Sequence, residues 1–345
     1  MFRKIISMLL IAILAAGCAY PQKEQEEEVL KKQYQATFLE LFDTVTTIIG
    51  YAQTEEEFGE ITDEIYDKLE KYHRLFDIYH EYEGNNIKTI NDQAGIAPVK
   101  VDREIIELLL DCKEYYKVTG GKVNVAMGSV LNLWHEAREN GINNPLEASL
   151  PDEAALKEAS LHCSLDDVVI DEAASTVYIK DPDLRLDVGA IAKGWAAERV
   201  CQEAPEGLLV SVGGNVRATG SKPGGISWVV GIQAPWGDNS EYVHTLYVNQ
   251  ESVVTSGDYQ RYYTVDGEMY HHLIDPETLY PGKQWKSVSI VCKDSGLADA
   301  LSTALFLLPK EEGQKLLDKY KAFAMWIDSE EEIYYSEDFE TLIKR

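Results

Sequence analysis

From residue 208 onward the chain is a succession of strand-forming runs separated by short turns, and this spacing limits its fold more than any other feature. Apolar and β-branched stretches recur at 208–212, 227–233, 244–248, 262–265 and 287–291, broken by clusters of Gly, Asn and Asp. Val265-Asp266-Gly267 reads as a hairpin turn between two of them. Helices alternate with strands, but many strands are joined directly. An α+β fold of mainly antiparallel, mixed sheets with packed helices is therefore expected, not a doubly wound parallel sheet. In the first half, 34–51 reads as one strand. Phe58, Ile61, Ile65, Leu69 and Tyr72 recur at threes and fours and predict a helix over 54–76. A polar loop over 82–95 follows, then a helix over 102–119 stopped by Gly120-Gly121. Residues 136–164 are polar with helical character, and 168–170 with 177–179 form a hairpin-like pair.

The first residues read as a targeting segment. Arg3 and Lys4 precede an apolar run over 5–14, then Leu14-Ala15-Ala16-Gly17-Cys18, the charged, apolar and small-residue order of a signal peptide. Ending on Cys, the run resembles the lipobox of bacterial lipoproteins, which makes Cys18 the expected lipidation site. The apolar run falls short of the roughly 20 residues that span a bilayer. Residues 21–32 are polar and glutamate-rich and read as a solvated tether. The expected division is a lipoprotein signal peptide over 1–17, the lipidated Cys and acidic tether over 18–34, and the folded domain over 35–345. That places the protein on the extracytoplasmic face of the cell membrane, held by a lipid anchor.

A formal net charge of -27 argues against a nucleic-acid partner, because a polyanion would be repelled over the whole surface. Any bound polyphosphate needs local cations or a metal. Cys112, Cys163, Cys201 and Cys292 show no metal-like spacing and read as buried small hydrophobes, though an exported chain can pair two of them.

Three regions carry chemistry. In the helical run 298–308, Asp299 and Thr303 stand four residues apart and stack on one face. A carboxylate and a hydroxyl aimed at one spot suit Mg²⁺, although the same pair also occurs on ordinary helices, with Asp favouring the first turn and Thr bonding back to a carbonyl. At 186–197, Gly189 and its small neighbours sit where a strand gives way to a helix, exposing backbone N–H groups to an anion. Lys193 supplies a point charge there and Asp187 an acceptor. The order is neither a P-loop nor GxGxxG, and a tight helix start with a surface Lys reads equally well. His272, in Tyr270-His271-His272-Leu273, is either a general base or a satisfied strand histidine.

Taken in order, DVGAIAKGWAAE, SVGGN, TSGDYQRYY, HHLIDPET and ADALSTALF, preceded by VNVAMGSVLNLW, resemble the FAD:protein FMN transferases, the ApbE-type flavin transferases, over roughly 38–306. The resemblance implies an ApbE-like, T-fold-like architecture and a Mg²⁺-dependent enzyme with FAD as substrate. It implies that Asp299, Thr303 and the Ala190 carbonyl hold the metal, with His272 and Asp299 as catalytic residues. Gly128, Ser129, Val130, Asp187, Lys193 and Leu273 are the implied flavin-nucleotide contacts, joined by Ser256, Gly257 and Tyr259 of the SGDY turn. The implied reaction is attack of a Thr or Ser hydroxyl of an exported redox flavoprotein subunit on the FMN-side phosphorus of FAD, with AMP leaving. The same site suits a Mg²⁺-dependent FAD pyrophosphatase yielding FMN and AMP, or a non-catalytic FAD-binding lipoprotein. The chain departs from the family pattern at Asn124 for Asp, Trp195 for Tyr and Leu279 for Gly. It holds no Asp-Gly-x-Ser/Thr-Gly-Ala-Thr acceptor sequence, so self-flavinylation is not expected.

Overall fold

The computed structural model describes residues 5–8, 31–236 and 241–345. Cys18 and nearly all of the expected leader and tether lie outside the described residues. The stretch expected as one strand over 34–51 is a hairpin: Lys32–Leu39 pairs antiparallel with Val45–Ala52, from Lys32 opposite Ala52 to Leu39 opposite Val45. The reversal is made by Glu40, Phe42 and Asp43 at φ of 86°, 54° and 53°, a left-handed turn with no glycine to announce it. The Lys32–Leu39 strand begins inside the segment expected as tether.

These two strands belong to a nine-stranded sheet ordered Ile5–Met8, Lys32–Leu39, Val45–Ala52, Leu208–Val212, Asn215–Ala218, Ser252–Gly257, Trp285–Cys292, Phe323–Asp328 and Ile333–Tyr335. Every neighbouring pair in it is antiparallel, as the short turns imply. Of the SGDY turn expected over 256–259, residues 258 and 259 are the turn, while Ser256 and Gly257 end the strand Ser252–Gly257, which pairs along its length with Trp285–Cys292.

Side-chain alternation sorts the sheet's residues into two cores. Val254, Ile290, Ala324 and Trp326 face the helices. Val253, Val291, Met325 and Ile327 face a second sheet of Trp228–Gln233 and Tyr242–Val248. The molecule is thus a layer of helices, the large sheet, and a small two-stranded sheet.

The Glu55–Phe76 helix starts where Thr54 accepts from the Glu57 N–H, and it buries Phe58, Ile65, Leu69 and Tyr72. The loop expected over 82–95 contains a short helix, Ile87–Asp92, opened by a capping box between Asn86 and Thr89. The helix expected over 102–119 spans Arg103–Val118. Two helices, Ala192–Glu203 and Ser295–Phe306, cross at very close range under the sheet. A Cβ on Gly194 would sit 2.4 Å from the Ser295 carbonyl oxygen and 2.5 Å from Asp299 Cβ, so only glycine admits this approach. The buried Glu198 fastens the crossing, accepting from the Ser295 N–H at 2.8 Å and from Arg217 Nε at 2.9 Å. On its outer side Trp195 donates to Asp111 Oδ2 at 2.8 Å and carries the Arg199 guanidinium 4.6 Å above its ring.

The four cysteines among the described residues are free, three of them buried. No helix among the described residues is long and apolar enough to cross a membrane.

Candidate active site

A cavity of about 690 Å³ opens at the crossing of the two helices, between them, the end of Ser252–Gly257 and one face of the Gly128–Asn143 helix carrying Leu131, Trp134, His135 and Arg138. Asp299 and Thr303 project into it from Ser295–Phe306, 4% and 8% exposed. Asp294 caps that helix through the Leu297 N–H, so Asp299 lies beyond the first turn and is not there to serve its own helix's dipole. Its Oδ2 instead accepts from the Gly194 N–H at 2.8 Å and from Asn215 Nδ2 at 3.0 Å. Gly194 is at the third position of Ala192–Glu203, so Asp299 satisfies one of that helix's unpaired donors from outside. No hydrogen bond among the described residues reaches Asp299 Oδ1, and none ends on the Ala190 carbonyl on the same wall. The hydroxyl that bonds back to the Asp299 carbonyl, at 2.9 Å, is that of Ser302, not Thr303. Asp299, Thr303 and Ala190 thus all line one cavity, bringing a free carboxylate oxygen, a free carbonyl and a hydroxyl to it. Burial raises the Asp299 carboxyl's pKa, opposed by Lys193, the Gly194 N–H and Asn215. A buried carboxylate of this kind is stabilised by a cation, and three oxygen donors in an open cavity fit a hard ion such as Mg²⁺ with room left for phosphate and water.

The cavity is also cationic. Lys193, Arg138 and Arg261 line it, in a chain whose overall charge is strongly negative. Burial and the neighbouring Arg261 lower the pKa of Arg138. Such a pair is stabilised by a bound anion. Asp187 sits deep in the cavity, its Oδ1 accepting from the Gly189 N–H at 2.8 Å; burial raises its pKa although the group still meets the cavity's solvent. A third side is apolar and aromatic, with Phe76, Ile78, Met127, Leu131, Trp134 and Tyr79, whose ring stacks on His135 at 5.2 Å.

The two adjacent histidines divide the two readings between them. His271 is the satisfied one, with Nε2 on the Gly282 carbonyl at 2.7 Å and Nδ1 accepting from the Leu273 N–H at 3.2 Å. His272 lines the cavity with its Nδ1 buried and unpartnered. Burial first, then the positive charges of Arg261, Lys193 and Arg138, bring its pKa down to about 3, so the ring is neutral at physiological pH.

Of the residues singled out from sequence, Asp187, Ala190, Lys193, Ser256, Gly257, His272, Leu273, Asp299 and Thr303 meet in this one cavity. Ser256 Oγ lies 2.8 Å from Ser302 Oγ, tying its strand to the Asp299 helix. Gly128, Ser129, Val130 and Tyr259 do not line it. Gly128 packs against the Arg185 carbonyl, where a Cβ would come within 2.5 Å, and Ser129 Oγ donates to the Asp183 carbonyl at 2.5 Å. Val130 is fully buried in a small cluster with Met127, Trp134 and Leu156. Tyr259 covers Gly257, its ring 2.4 Å from where a Cβ would stand. Sequence reading missed Asn215, Arg138, Arg261 and Tyr79. Asn215 and Arg261 lie inside motifs that were singled out, but Arg138 and Tyr79 carry no local signal.

Two departures from the family pattern have visible causes. Asn124 donates through Nδ2 to the Cys163 carbonyl at 2.9 Å, a bond that an ionised Asp cannot make. Leu279 holds φ 64°, a left-handed position natural for glycine.

Comparison with known proteins places these features. The ApbE family matches residues 42–327. The FAD:protein FMN transferase of Treponema pallidum (strain Nichols) is 37% identical over 252 residues, 68% of each chain. That of Klebsiella pneumoniae (strain 342) is 32% identical over 253 residues, 70% of this chain and 76% of the other. Among solved structures, the ApbE protein of Thermotoga maritima superposes with a TM-score of 0.79 at 29% identity, covering 91% of this chain and 100% of that one. The flavin transferase ApbE of Vibrio cholerae shares the fold, with a TM-score of 0.74 at 21% identity over 90% of this chain and 99% of its own.

Proposed function

The chain belongs to the ApbE family, and from that premise we propose that its cavity transfers the FMN moiety of FAD to a Thr or Ser hydroxyl of an exported redox flavoprotein subunit. AMP leaves, and the reaction depends on Mg²⁺. One observation carries the reading: free oxygen donors from Asp299, Thr303 and Ala190 share a cavity with Lys193, Arg138 and Arg261. That combination suits a diphosphate bridged by a metal.

Mg²⁺ bound by Asp299, Thr303 and the Ala190 carbonyl would neutralise charge developing on the phosphate oxygens. The remaining work falls to the chain's own groups. Lys193, Arg138 and Arg261 hold phosphate oxygens in place, and Asp187 accepts from an N–H or hydroxyl of the ligand. The aromatic side takes a flat ring and excludes water. His272 receives the proton of the attacking hydroxyl as the oxygen bonds to the FMN-side phosphorus and the bond to AMP breaks. With protein charges alone its pKa is too low for that task. A bound diphosphate offsets the part of that shift that comes from the cations, while burial, its larger cause, remains.

The leader supports a second part of the reading. Its order of Arg3-Lys4, apolar run and Cys18 favours a lipid-anchored protein facing away from the cytoplasm, where an exported acceptor is met. Labelling with a radioactive fatty acid should mark the wild type and not Cys18→Ser.

Incubation with FAD, Mg²⁺ and an exported flavoprotein subunit tests the activity. Flavin fluorescence that stays with the partner through denaturing electrophoresis is expected. Free FMN and AMP with an unlabelled partner would make water the nucleophile, and unchanged FAD would overturn the enzyme reading.

A further inference from the structure

Mg²⁺ and Ca²⁺ both take oxygen ligands, but they use carboxylates differently. Mg²⁺ demands a tight octahedron at about 2.0–2.1 Å, whereas Ca²⁺ accepts 6–8 oxygens at about 2.3–2.6 Å and commonly takes both oxygens of one carboxylate. A site that denies the second oxygen therefore disfavours the larger ion.

Asp299 is built to deny it. Oδ2 already has two donors, the Gly194 N–H at 2.8 Å and Asn215 Nδ2 at 3.0 Å. Neither donor has room to move. The Gly194 backbone is clamped against Ser295 and Asp299, and the Asn215 side chain is 2% exposed. Asn215 also follows directly on Gly213 and Gly214 at φ 58° and 91°, a turn that fixes where its strand begins.

We infer that Asn215, acting together with the Gly194 N–H, is a specificity-determining residue that pins Asp299 as a one-oxygen ligand and so selects Mg²⁺ over Ca²⁺. The inference rests on the proposed role of Asp299 as a metal ligand. Asn215 acts through Asp299 and is a positioning residue.

Calorimetric titration of the full chain with MgCl₂, and separately with CaCl₂, tests it. The proteins compared are wild type, Asn215→Leu, Asn215→Asp and, as a marker of the site, Asp299→Ala, with thermal melts to establish folding. Both Asn215 variants lose the donor, and only the Asp variant adds charge. Loss of a partner to a metal ligand typically costs about 10–100-fold in affinity. The expected result is that loss for Mg²⁺ in Asn215→Leu with a smaller loss for Ca²⁺, so that the Mg²⁺/Ca²⁺ preference falls about tenfold or more in both variants. A purely structural role would weaken both ions alike, and an unchanged ratio overturns the inference. Should Asn215→Leu fail to melt cooperatively, Asn215→Asp, which keeps the side chain's shape, decides. Wild-type protein that binds neither ion, or binding that survives Asp299→Ala, would overturn the metal reading itself and not only the role of Asn215.

Discussion

Asp299 costs the protein stability for the sake of its site. Its carboxyl is buried with a raised pKa, so the fold alone disfavours the charged form. Because the folded pKa lies above the unfolded one, the penalty grows as pH rises and vanishes below the usual carboxylate range. Asp299→Asn can still accept the Gly194 and Asn215 hydrogen bonds through its amide oxygen. It should therefore melt higher than wild type at pH 7 without divalent cation, by about 1–3 kcal/mol of stability, and no higher near pH 3. The same variant should lose the rise in melting temperature that Mg²⁺ gives the wild type. His272 works in the opposite sense. Its folded pKa of about 3 lies below the ordinary 6.5, so its contribution is complete above pH 6.5 and is lost as pH falls from there toward 3. His272→Gln should show a shallower fall in melting temperature across that window and about 10²–10⁴-fold slower transfer. At this scale the sequence was readable where one element holds both partners. Asp299 and Thr303 are four apart on one helix, but Arg138 reaches the same cavity from a helix more than a hundred residues away, and nothing local marks it.

Between elements, the decisive contact is the crossing of Ala192–Glu203 with Ser295–Phe306. Gly194, Glu198 and Asn215 all converge on it, and each answers to a backbone group or side chain on the second helix. Gly194→Ala would place a methyl 2.4–2.5 Å from the Ser295 oxygen and Asp299 Cβ, forcing the helices apart. The expected cost is about 1–3 kcal/mol in chemical denaturation, accompanied by weakened Mg²⁺ binding because the Gly194 N–H leaves Oδ2. Glycine in the middle of a helix-forming stretch reads in sequence as a weak spot, and its purpose becomes visible only with the partner helix in place. Strands such as Leu208–Val212 and Trp228–Gln233 were legible from β-branched runs and turn residues, whereas Phe323–Asp328 and Ile333–Tyr335 were not singled out. The hairpin at 40–43 was not, because its left-handed residues are Glu, Phe and Asp. Nor was the helix at Ile87–Asp92, short enough that its capping box resembles loop chemistry.

Across the whole molecule, a charge of -27 surrounds a cavity wall carrying three cations. The far field repels an anionic dinucleotide while the near field holds it. Raising ionic strength from about 0.01 to 0.15 M shortens the Debye length from about 30 to 8 Å. The association rate of FAD, followed by stopped-flow fluorescence, should therefore rise with salt over this range, opposite to the behaviour of a cationic binding protein. The fold class, α+β with mainly antiparallel sheet, was legible from turn lengths, because short connections favour antiparallel neighbours. The position of the cavity was not, since it depends on which faces the layers bury. The central claim is that one divalent cation sits where the two helices cross. Crystals grown with FAD and Mn²⁺, measured at the manganese absorption edge, test it most directly. The account expects a single anomalous peak at bonding distance from Asp299 Oδ1, Thr303 Oγ1 and the Ala190 carbonyl oxygen, beside the diphosphate. A bound dinucleotide with no peak there, or with the metal elsewhere, would contradict it.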